Sequence, residues 1–464
     1  MIRQHKLKIG VSGIRGEVGE FLTPALAAAF AQAFGTYVGG GRVVVGRDTR
    51  PSGPMIQHAV TCGLLASGCE VVDVGILPTP TIQVYTGACR ASGGIAVTAS
   101  HNPPEYNALK LFNRHGVFLN IYERSELIHL YHQSQFRHAA NEEMRGIAAD
   151  AETPKRLHFE RVLRFVDVER IRARRFRVAL DAVNGAGSAL SVEFLRDWLG
   201  CELHAIAVDP GRPFPREAEP RPDTLGELSA LVRREGCDIG FGQDPDGDRL
   251  AVADEHGFVV DSNDVLALVA DSVLRRLAGD VVVNLTSSNV IEDVGRLHGR
   301  RVLRTPVGEA NVVERMRAVK AAIGGEGSNG GVIFPPVQYC RDSYTGMAFL
   351  LDLLAASGAT VSGLAGGLPR YFRRSAAIAL EHGLVGALLP GIEARFAAPA
   401  IDRTDGLKLM WPDAWIHVRA SNTEPLLRLA VEAKTAERLE DLDGRLREFC
   451  GAIRREEAPE LRDI

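Results

Sequence analysis

Four short stretches of this chain join reactive or charged side chains to loop-forming residues. The first is Val97-Thr98-Ala99-Ser100-His101-Asn102-Pro103-Pro104. Its prolines fix φ and hold the residue before them away from helix. The run Gly93 to Val97 reads as a short buried strand. Ser100 is therefore expected on a rigid loop at a strand end, where reactive groups are often presented. An ordinary Ser/Asn/Pro turn has the same composition. The second stretch, Asp244-Pro245-Asp246-Gly247-Asp248-Arg249, sets three carboxylates at alternate positions. Carboxylates so spaced can converge on one hard cation, and Mg2+ prefers such oxygen ligands with positions left open. A calcium EF-hand would fit Asp244, Asp246, Asp248 and Glu255, but Arg249 stands where that loop needs glycine. Strand-like flanks at 237–241 and 250–253 also exclude it. A purely structural acidic turn is the other reading, yet three aspartates repel one another unless something positive neutralises them.

The third stretch is Gly324-Gly325-Glu326-Gly327-Ser328-Asn329-Gly330-Gly331. Its glycines let the backbone approach a ligand closely, and Glu326 is an acceptor for sugar hydroxyls. A flexible connector is the bland alternative. No Gly-Lys-Ser/Thr follows, so it is not a Walker loop. The fourth stretch, Arg419-Ala420-Ser421-Asn422-Thr423-Glu424-Pro425, follows a strand-like run from Ala414 to Val418. Arginine offers a planar fork of donors that matches phosphate. A polar helix cap would explain the neutral residues but not the arginine.

In this order, and with Gly10-Val11-Ser12-Gly13-Ile14-Arg15-Gly16 near the N-terminus, these stretches closely resemble the α-D-phosphohexomutase family. The resemblance spans essentially the whole chain. It implies an α/β fold: three similar mixed-sheet α/β domains plus a C-terminal α+β domain around a central cleft. It also implies transfer of a phosphoryl group between C6 and C1 of a hexose phosphate, through phosphoserine and a bisphosphorylated sugar. Ser100 matches the phosphorylated serine. Mg2+ would bridge Asp244, Asp246, Asp248 and an oxygen on Ser100. Arg249 would bind the same phosphoryl group or a sugar hydroxyl, Arg15 would add positive charge, and Lys110 matches a lysine suited to proton transfer. A cationic neighbour, the metal or Arg15, is expected to depress the Lys110 pKa. His101 is expected to position its loop. Glu326 and Ser328 would hold sugar hydroxyls, and Arg419, Ser421, Asn422 and Thr423 the phosphate that is not reacting. A hexose bisphosphate would serve as activator and intermediate.

Asn329-Gly330 departs from the family, many of whose members carry Gly-His there. The following Gly330-Gly331-Val332-Ile333-Phe334 resembles archaeal-type members. Thr305-Pro306-Val307-Gly308-Glu309 is similar to the glucosamine branch. These features lean towards glucosamine 6-phosphate and glucosamine 1-phosphate, with a phosphomannomutase or phosphoglucomutase as the alternative. A metal-dependent sugar phosphatase or a non-catalytic sugar-phosphate sensor are the readings from other classes.

The elements that must position these loops are those of a large globular chain. Its 464 residues exceed one core and divide into about three or four domains. A net charge of −4 argues against a nucleic-acid partner. No window approaches 18 apolar residues, so no membrane span is expected. Seven cysteines without C-x-x-C pairs suit free thiols in a reducing cytoplasm. Cys62, Cys69 and Cys89 are expected in apolar surroundings. A small-molecule hexose phosphate is the expected partner.

Strand and helix patterns alternate at 42–46, 55–67 and 70–74, which implies α/β units. The expected boundaries are 1–150 with the serine loop, 151–254 with the metal loop, 255–366 with the sugar loop and 367–464 with the phosphate loop. Within this scheme, 133–151 is a polar passage to the second unit. The basic run 170–177 reads as a solvated junction. Each α/β unit is expected to deliver its loop from a strand–loop–helix, and a charged amphipathic helix over 436–455 closes the chain.

Overall fold

The computed structural model describes residues 8–10, 13–327, 330–379, 382–421 and 426–457. Four sheets organise them. The first contains β1 (Lys8–Gly10), β2 (Gly13–Glu17), β3 (Arg42–Arg47), β4 (Glu70–Ile76), β5 (Gly93–Val97), β6 (Tyr106–Asn113) and β7 (Ile147–Ala149), in the order β1-β2-β6-β5-β3-β4-β7. The second contains β8 (Arg177–Asp181), β9 (Glu202–Ile206), β10 (Ile239–Gln243) and β11 (Leu250–Ala253), ordered β11-β10-β8-β9. The third contains β12 (Val281–Asn284), β13 (Val302–Thr305), β14 (Ile323–Glu326) and β15 (Gly331–Ile333), ordered β13-β12-β14-β15.

One topology recurs in all three. A central strand pairs in parallel with the next strand on one side and with the third on the other. The third strand then pairs antiparallel with the fourth. The central and third strands of these sheets are almost wholly buried, as expected where helices cover a sheet from both sides. The serine, metal and glycine loops occupy the same place in their sheets, the connection between third and fourth strands. The expected strand–loop–helix is thus a strand–loop–strand hairpin. Pairing on both flanks fixes such a loop more firmly than a helix entry would.

The fourth sheet is antiparallel throughout: β16 (Phe372–Ala379), β17 (Ala400–Asp402), β18 (Leu407–Met410), β19 (Ala414–Ala420) and β20 (Leu426–Ala433), ordered β16-β20-β19-β18-β17. The helices His382–Phe396 and Ala436–Glu457 complete this α+β unit.

One apolar core runs through the first three sheets and their helices, from Val44 through Phe159, Phe241 and Leu268 to Val361. The fourth sheet has a separate core built on Leu388, Leu409, Ile416, Val431 and Leu446. Named contacts between the third and fourth units are polar. Lys408 Nζ donates to the Leu285 carbonyl at 2.5 Å, the Val307 amide to Asp405 at 2.9 Å and the Asn289 amide to Glu432 at 2.9 Å.

Three expectations need correction. The polar passage 133–151 contains β7, which adds to β4 as a parallel edge strand. Its three residues are exposed, so no apolar pattern marks it. Within the basic run, Arg170 is not merely solvated: with Arg276 it converges on the fully buried Asp352. All seven cysteines are free, but Cys62 is exposed and Cys89 half-buried, and only Cys69 of the three named lies in the core. Among the described residues, no helix is long and apolar enough to cross a membrane.

Candidate active site

Ser100 follows β5, and its backbone is left-handed, with φ at 50°. That conformation costs a residue with a side chain about 1–3 kcal/mol and persists only where surroundings enforce it. Arg50 enforces it. Its fully buried guanidinium donates to the carbonyl oxygens of Ser100 (2.6 Å), Asn102 (2.7 Å), Pro103 (2.6 Å) and Tyr106 (3.0 Å). Its Nε donates to Asp48 at 3.0 Å. Asp48 also accepts from the Thr98 hydroxyl at 2.6 Å, and Thr98 Oγ1 in turn accepts from the Ser100 amide at 3.0 Å. Burial lifts the Asp48 carboxyl above its ordinary range even against the pull of Arg50.

The metal-type loop connects β10 and β11, so the strand flanks that excluded an EF-hand are present. Asp244, Asp246 and Asp248 are buried, and each offers an oxygen within 4.8 Å of the other two. The Ser100 hydroxyl donates to Asp244 Oδ2 at 2.6 Å, joining serine and aspartates in one site. Thr79 Oγ1 donates to Asp246 at 2.5 Å. Lys110, on β6, donates from Nζ to Asp246 at 2.5 Å and to Asp248 at 2.9 Å. Asp246 Oδ1 and Asp248 Oδ1 are buried without a hydrogen-bond partner. Burial, and then Asp248 and Asp246, push the Asp244 carboxyl well above its usual range. Burial opposes ionisation of Asp248 too, but Arg341, Lys110 and Arg249 hold that carboxyl down. Three converging carboxylates, two of them with a buried oxygen that makes no hydrogen bond, suit a divalent cation, whose oxygen preference they meet.

Among the protein's own groups, the carboxylates around Lys110 act against the depression expected from a cationic neighbour. Burial lowers the Lys110 pKa, but Asp246 and Asp248 outweigh burial and raise it above the ordinary lysine value. Arg15, on β2, donates to Asn102 Oδ1 at 2.6 Å, bracing the serine loop. The Arg249 side chain pairs with Glu219, its amide donates to Asp244 Oδ1 at 3.1 Å, and its Nε is buried without a hydrogen bond, 3.9 Å from Asp248 Oδ1. His101 has a buried, unpartnered Nδ1, and burial followed by Arg249 and Arg15 pulls its pKa down to about 2. It is a neutral imidazole.

Glu326 ends β14 and is buried. Its Oε1 accepts from Asn284 Nδ2 and from the Gly308 amide, both at 3.0 Å. Oε2 lies 3.6 Å from Arg341. The glycines here are required by protein rather than by open space for a ligand. A β-carbon would meet the Gly331 carbonyl at Gly325 (2.1 Å), Asn263 at Gly327 (2.2 Å) and Arg341 at Gly331 (2.2 Å). Ser328, Asn422 and Thr423 lie outside the described residues. Arg419, on β19, is partly buried. Burial lowers its pKa, and the charges of Asp405 and Glu326 act on it in the opposite sense. Ser421 is buried beside it, with its amide on the Leu426 carbonyl at 2.8 Å.

Sequence reasoning missed Arg341, Glu309, Arg50, Asp48, Thr79 and Glu219. Asp48 and Arg50 had a visible signal, a charged pair directly after a valine-rich strand. Arg341 had one too, since it precedes Asp342, the N-cap whose carboxylate accepts from the Tyr344 and Thr345 amides. That cap places Ser343 beneath the aspartate loop, where its hydroxyl donates to the Gly247 carbonyl at 2.7 Å.

Four phosphoglucomutase/phosphomannomutase family models match the chain: α/β/α domain I over 6–138, domain II over 156–257, domain III over 261–371 and the C-terminal domain over 386–449. A "Phosphoglucomutase/phosphomannomutase" of Thermococcus kodakarensis is 38% identical over 92% of this chain and 95% of its own. A "Probable phosphoglucosamine mutase" of Methanopyrus kandleri is 37% identical over 96% and 97%. The crystal structure of a phosphoglucomutase/phosphomannomutase family protein from Burkholderia thailandensis superposes with a TM-score of 0.83 at 29% identity, over 95% of this chain and 96% of that one. Four matched domains in order and a buried aspartate triad against a serine lead to one conclusion: this chain belongs to the α-D-phosphohexomutase family and is a phosphohexomutase-type isomerase of hexose or hexosamine phosphates.

Proposed function

We propose that the chain moves a phosphoryl group between C6 and C1 of its sugar through phosphorylated Ser100, with Mg2+ held by Asp244, Asp246 and Asp248. The observation that carries this reading is the 2.6 Å bond from Ser100 Oγ to Asp244, beside two buried aspartate oxygens that lack partners. A bound Mg2+ would neutralise charge on the phosphoryl group, the main requirement of phosphoryl transfer. A free serine is a poor nucleophile, so a stored phosphoryl group matters more than the basicity of Ser100. Lys110, whose Nζ is bonded to Asp246 and Asp248 beside Ser100, suits proton transfer in this step. Arg249 Nε, which makes no hydrogen bond, is a donor for the phosphoryl group or a sugar hydroxyl. Neutral His101 and the Arg15–Asn102 bond hold the serine loop. Glu326 receives the sugar, and Arg419 with Ser421, Asn422 and Thr423 grips the distal phosphate, whose binding helps orient the reacting end.

The preferred sugar in this reading is glucosamine phosphate. Glu326 offers Oε2 to the ammonium group, a charge-assisted bond worth about 1.5–3 kcal/mol and so roughly tenfold or more in preference. The Thermococcus relative's name favours glucose or mannose phosphate as the second reading. The test is kcat/KM for glucosamine, glucose and mannose phosphates with Mg2+ and a catalytic bisphosphate, for wild type and Glu326→Gln. Glucosamine phosphate should be preferred and should suffer most from the substitution. Equal losses would remove this rationale, and a wild-type preference for glucose or mannose phosphate would transfer the assignment. Peptide mass spectrometry should place one phosphate on Ser100, and an active Ser100→Ala would sink the covalent route.

A further inference from the structure

Arg341 touches both the metal-type loop, at Asp248, and the glycine loop, at Glu326. It is buried, 8% exposed, and follows β15 rather than belonging to either loop. One terminal nitrogen donates to Asp248 Oδ2 at 2.9 Å, and the other lies 3.6 Å from Glu326 Oε2. Nε donates to Glu309 Oε2 at 2.9 Å, and the backbone amide donates to Glu309 Oε1 at 3.1 Å. Glu309 therefore clamps the guanidinium from behind, at both side chain and backbone. The glycine at 331 makes this possible, since a β-carbon there would sit 2.2 Å from Arg341 Cδ.

The consequence for Asp248 is directional. Its Oδ2 accepts from both Arg341 and Lys110, each at 2.9 Å, while Oδ1 is buried without a hydrogen bond, 3.9 Å from Arg249 Nε. Two cations fixed on one oxygen set the carboxylate plane, so the other oxygen points where a metal would sit. The consequence for Glu326 is similar. Asn284 and Gly308 hold Oε1, and Arg341 stands beside the oxygen left for the sugar. A lysine could not do this, because one ammonium cannot present a planar fork to three carboxylates at once.

We propose that Arg341 is a positioning residue that orients Asp248 towards the metal and Glu326 towards the sugar, so that one side chain sets both subsites. The claim about the sugar rests on the mutase reaction proposed above; the claim about the metal rests only on the aspartate site. Outer partners of metal ligands typically change affinity by about 10–100-fold when altered.

The test compares wild type with Arg341→Lys, which keeps the charge and loses the fork, and with the double variant Arg341→Met/Glu309→Gln. The double variant removes a buried pair together and so leaves neither partner uncompensated. Circular dichroism and thermal melting establish that each is folded. Calorimetric titration with MgCl2 alone reads the metal subsite, and steady-state kinetics with a hexose 6-phosphate and bisphosphate read the sugar subsite. Both variants should bind Mg2+ about tenfold more weakly and raise KM for the sugar phosphate by a similar factor. At saturating Mg2+ the loss should fall more on KM than on kcat. Folded variants that bind Mg2+ and sugar within twofold of wild type would overturn the proposal. A change at one subsite alone would overturn the bridging role. If wild type shows no mutase activity, the proposed function fails while the Mg2+ titration still decides the orientation of Asp248.

Discussion

Replacing Arg50 by lysine should loosen the serine loop without touching any group in the site. The arginine side chain serves five acceptors, the carbonyls of Ser100, Asn102, Pro103 and Tyr106 and the carboxylate of Asp48. A lysine ammonium has three donors, so at least two acceptors lose theirs. Hydrogen bonds to charged groups contribute about 1.5–3 kcal/mol each, which gives about 3–6 kcal/mol. Carbonyls freed by loop opening regain water, so about 3 kcal/mol is the appropriate figure. Opening of the loop should then be favoured by roughly 100-fold. Hydrogen exchange read by mass spectrometry on peptides over 98–110 measures this, since the amides of Ser100, Asn102 and Tyr106 are bonded within the loop. Peptides of β12 and β14 serve as the unaffected control. The left-handed Ser100 backbone should relax with the loop, and a misplacement of about 1 Å costs roughly 100-fold in turnover. If Arg50→Lys leaves both exchange over 98–110 and kcat as in wild type, the claim that Arg50 enforces the serine geometry is wrong.

Asp246→Asn should abolish calorimetric Mg2+ binding and lower kcat by roughly 100-fold or more while changing sugar KM little, because a metal supplies several kcal/mol mainly to the transition state; full turnover in excess chelator would contradict it. His417 should make the fourth unit acid-sensitive. Burial first, and then Lys408, pull its pKa down to about 4, against an ordinary 6.5, although its hydrogen bond to the Asp405 carbonyl acts the other way. A depressed folded-state value stabilises above the unfolded value, so this contribution is complete above pH 6.5 and is lost as pH falls towards 4. Denaturant unfolding followed by tryptophan fluorescence should show that slope in wild type and a shallower one in His417→Gln; identical slopes would exclude His417 as the cause. Gly331→Ala should displace Arg341 by steric contact and weaken Mg2+ binding, an effect that Gly363→Ala, on a surface helix, should not reproduce.

The loops were legible because each concentrates its chemistry within eight residues or fewer, and the three-domain pattern because valine-rich strands recur between helical stretches. What joins the loops was not legible. Arg341 and Asp248 are 93 positions apart and Arg50 and Ser100 are 50 apart, so no local spacing reports their pairing. A buried arginine looks in sequence like any surface arginine, and only the carboxylates and carbonyls folded around it reveal its place. β7 escaped for the opposite reason: an exposed edge strand of three residues carries no apolar alternation. The bonds from Lys110 to Asp246 and Asp248, 136 and 138 positions away, were equally invisible.

The division of the apolar core has a consequence for how the polypeptide can be cut and assembled. Residues from Val44 to Val361 contribute to one continuous interior, so a chain ending near residue 257 would leave the apolar faces of its first two units uncovered and should aggregate. A chain ending near residue 366 would lose only a unit with its own interior and a polar seam. During synthesis, the interior shared by the first three units is complete only once the third has emerged, whereas the last can fold as it emerges and dock afterwards. Exchange of that final unit between related chains should be tolerated wherever the partners of Lys408, Asp405 and Glu432 are retained.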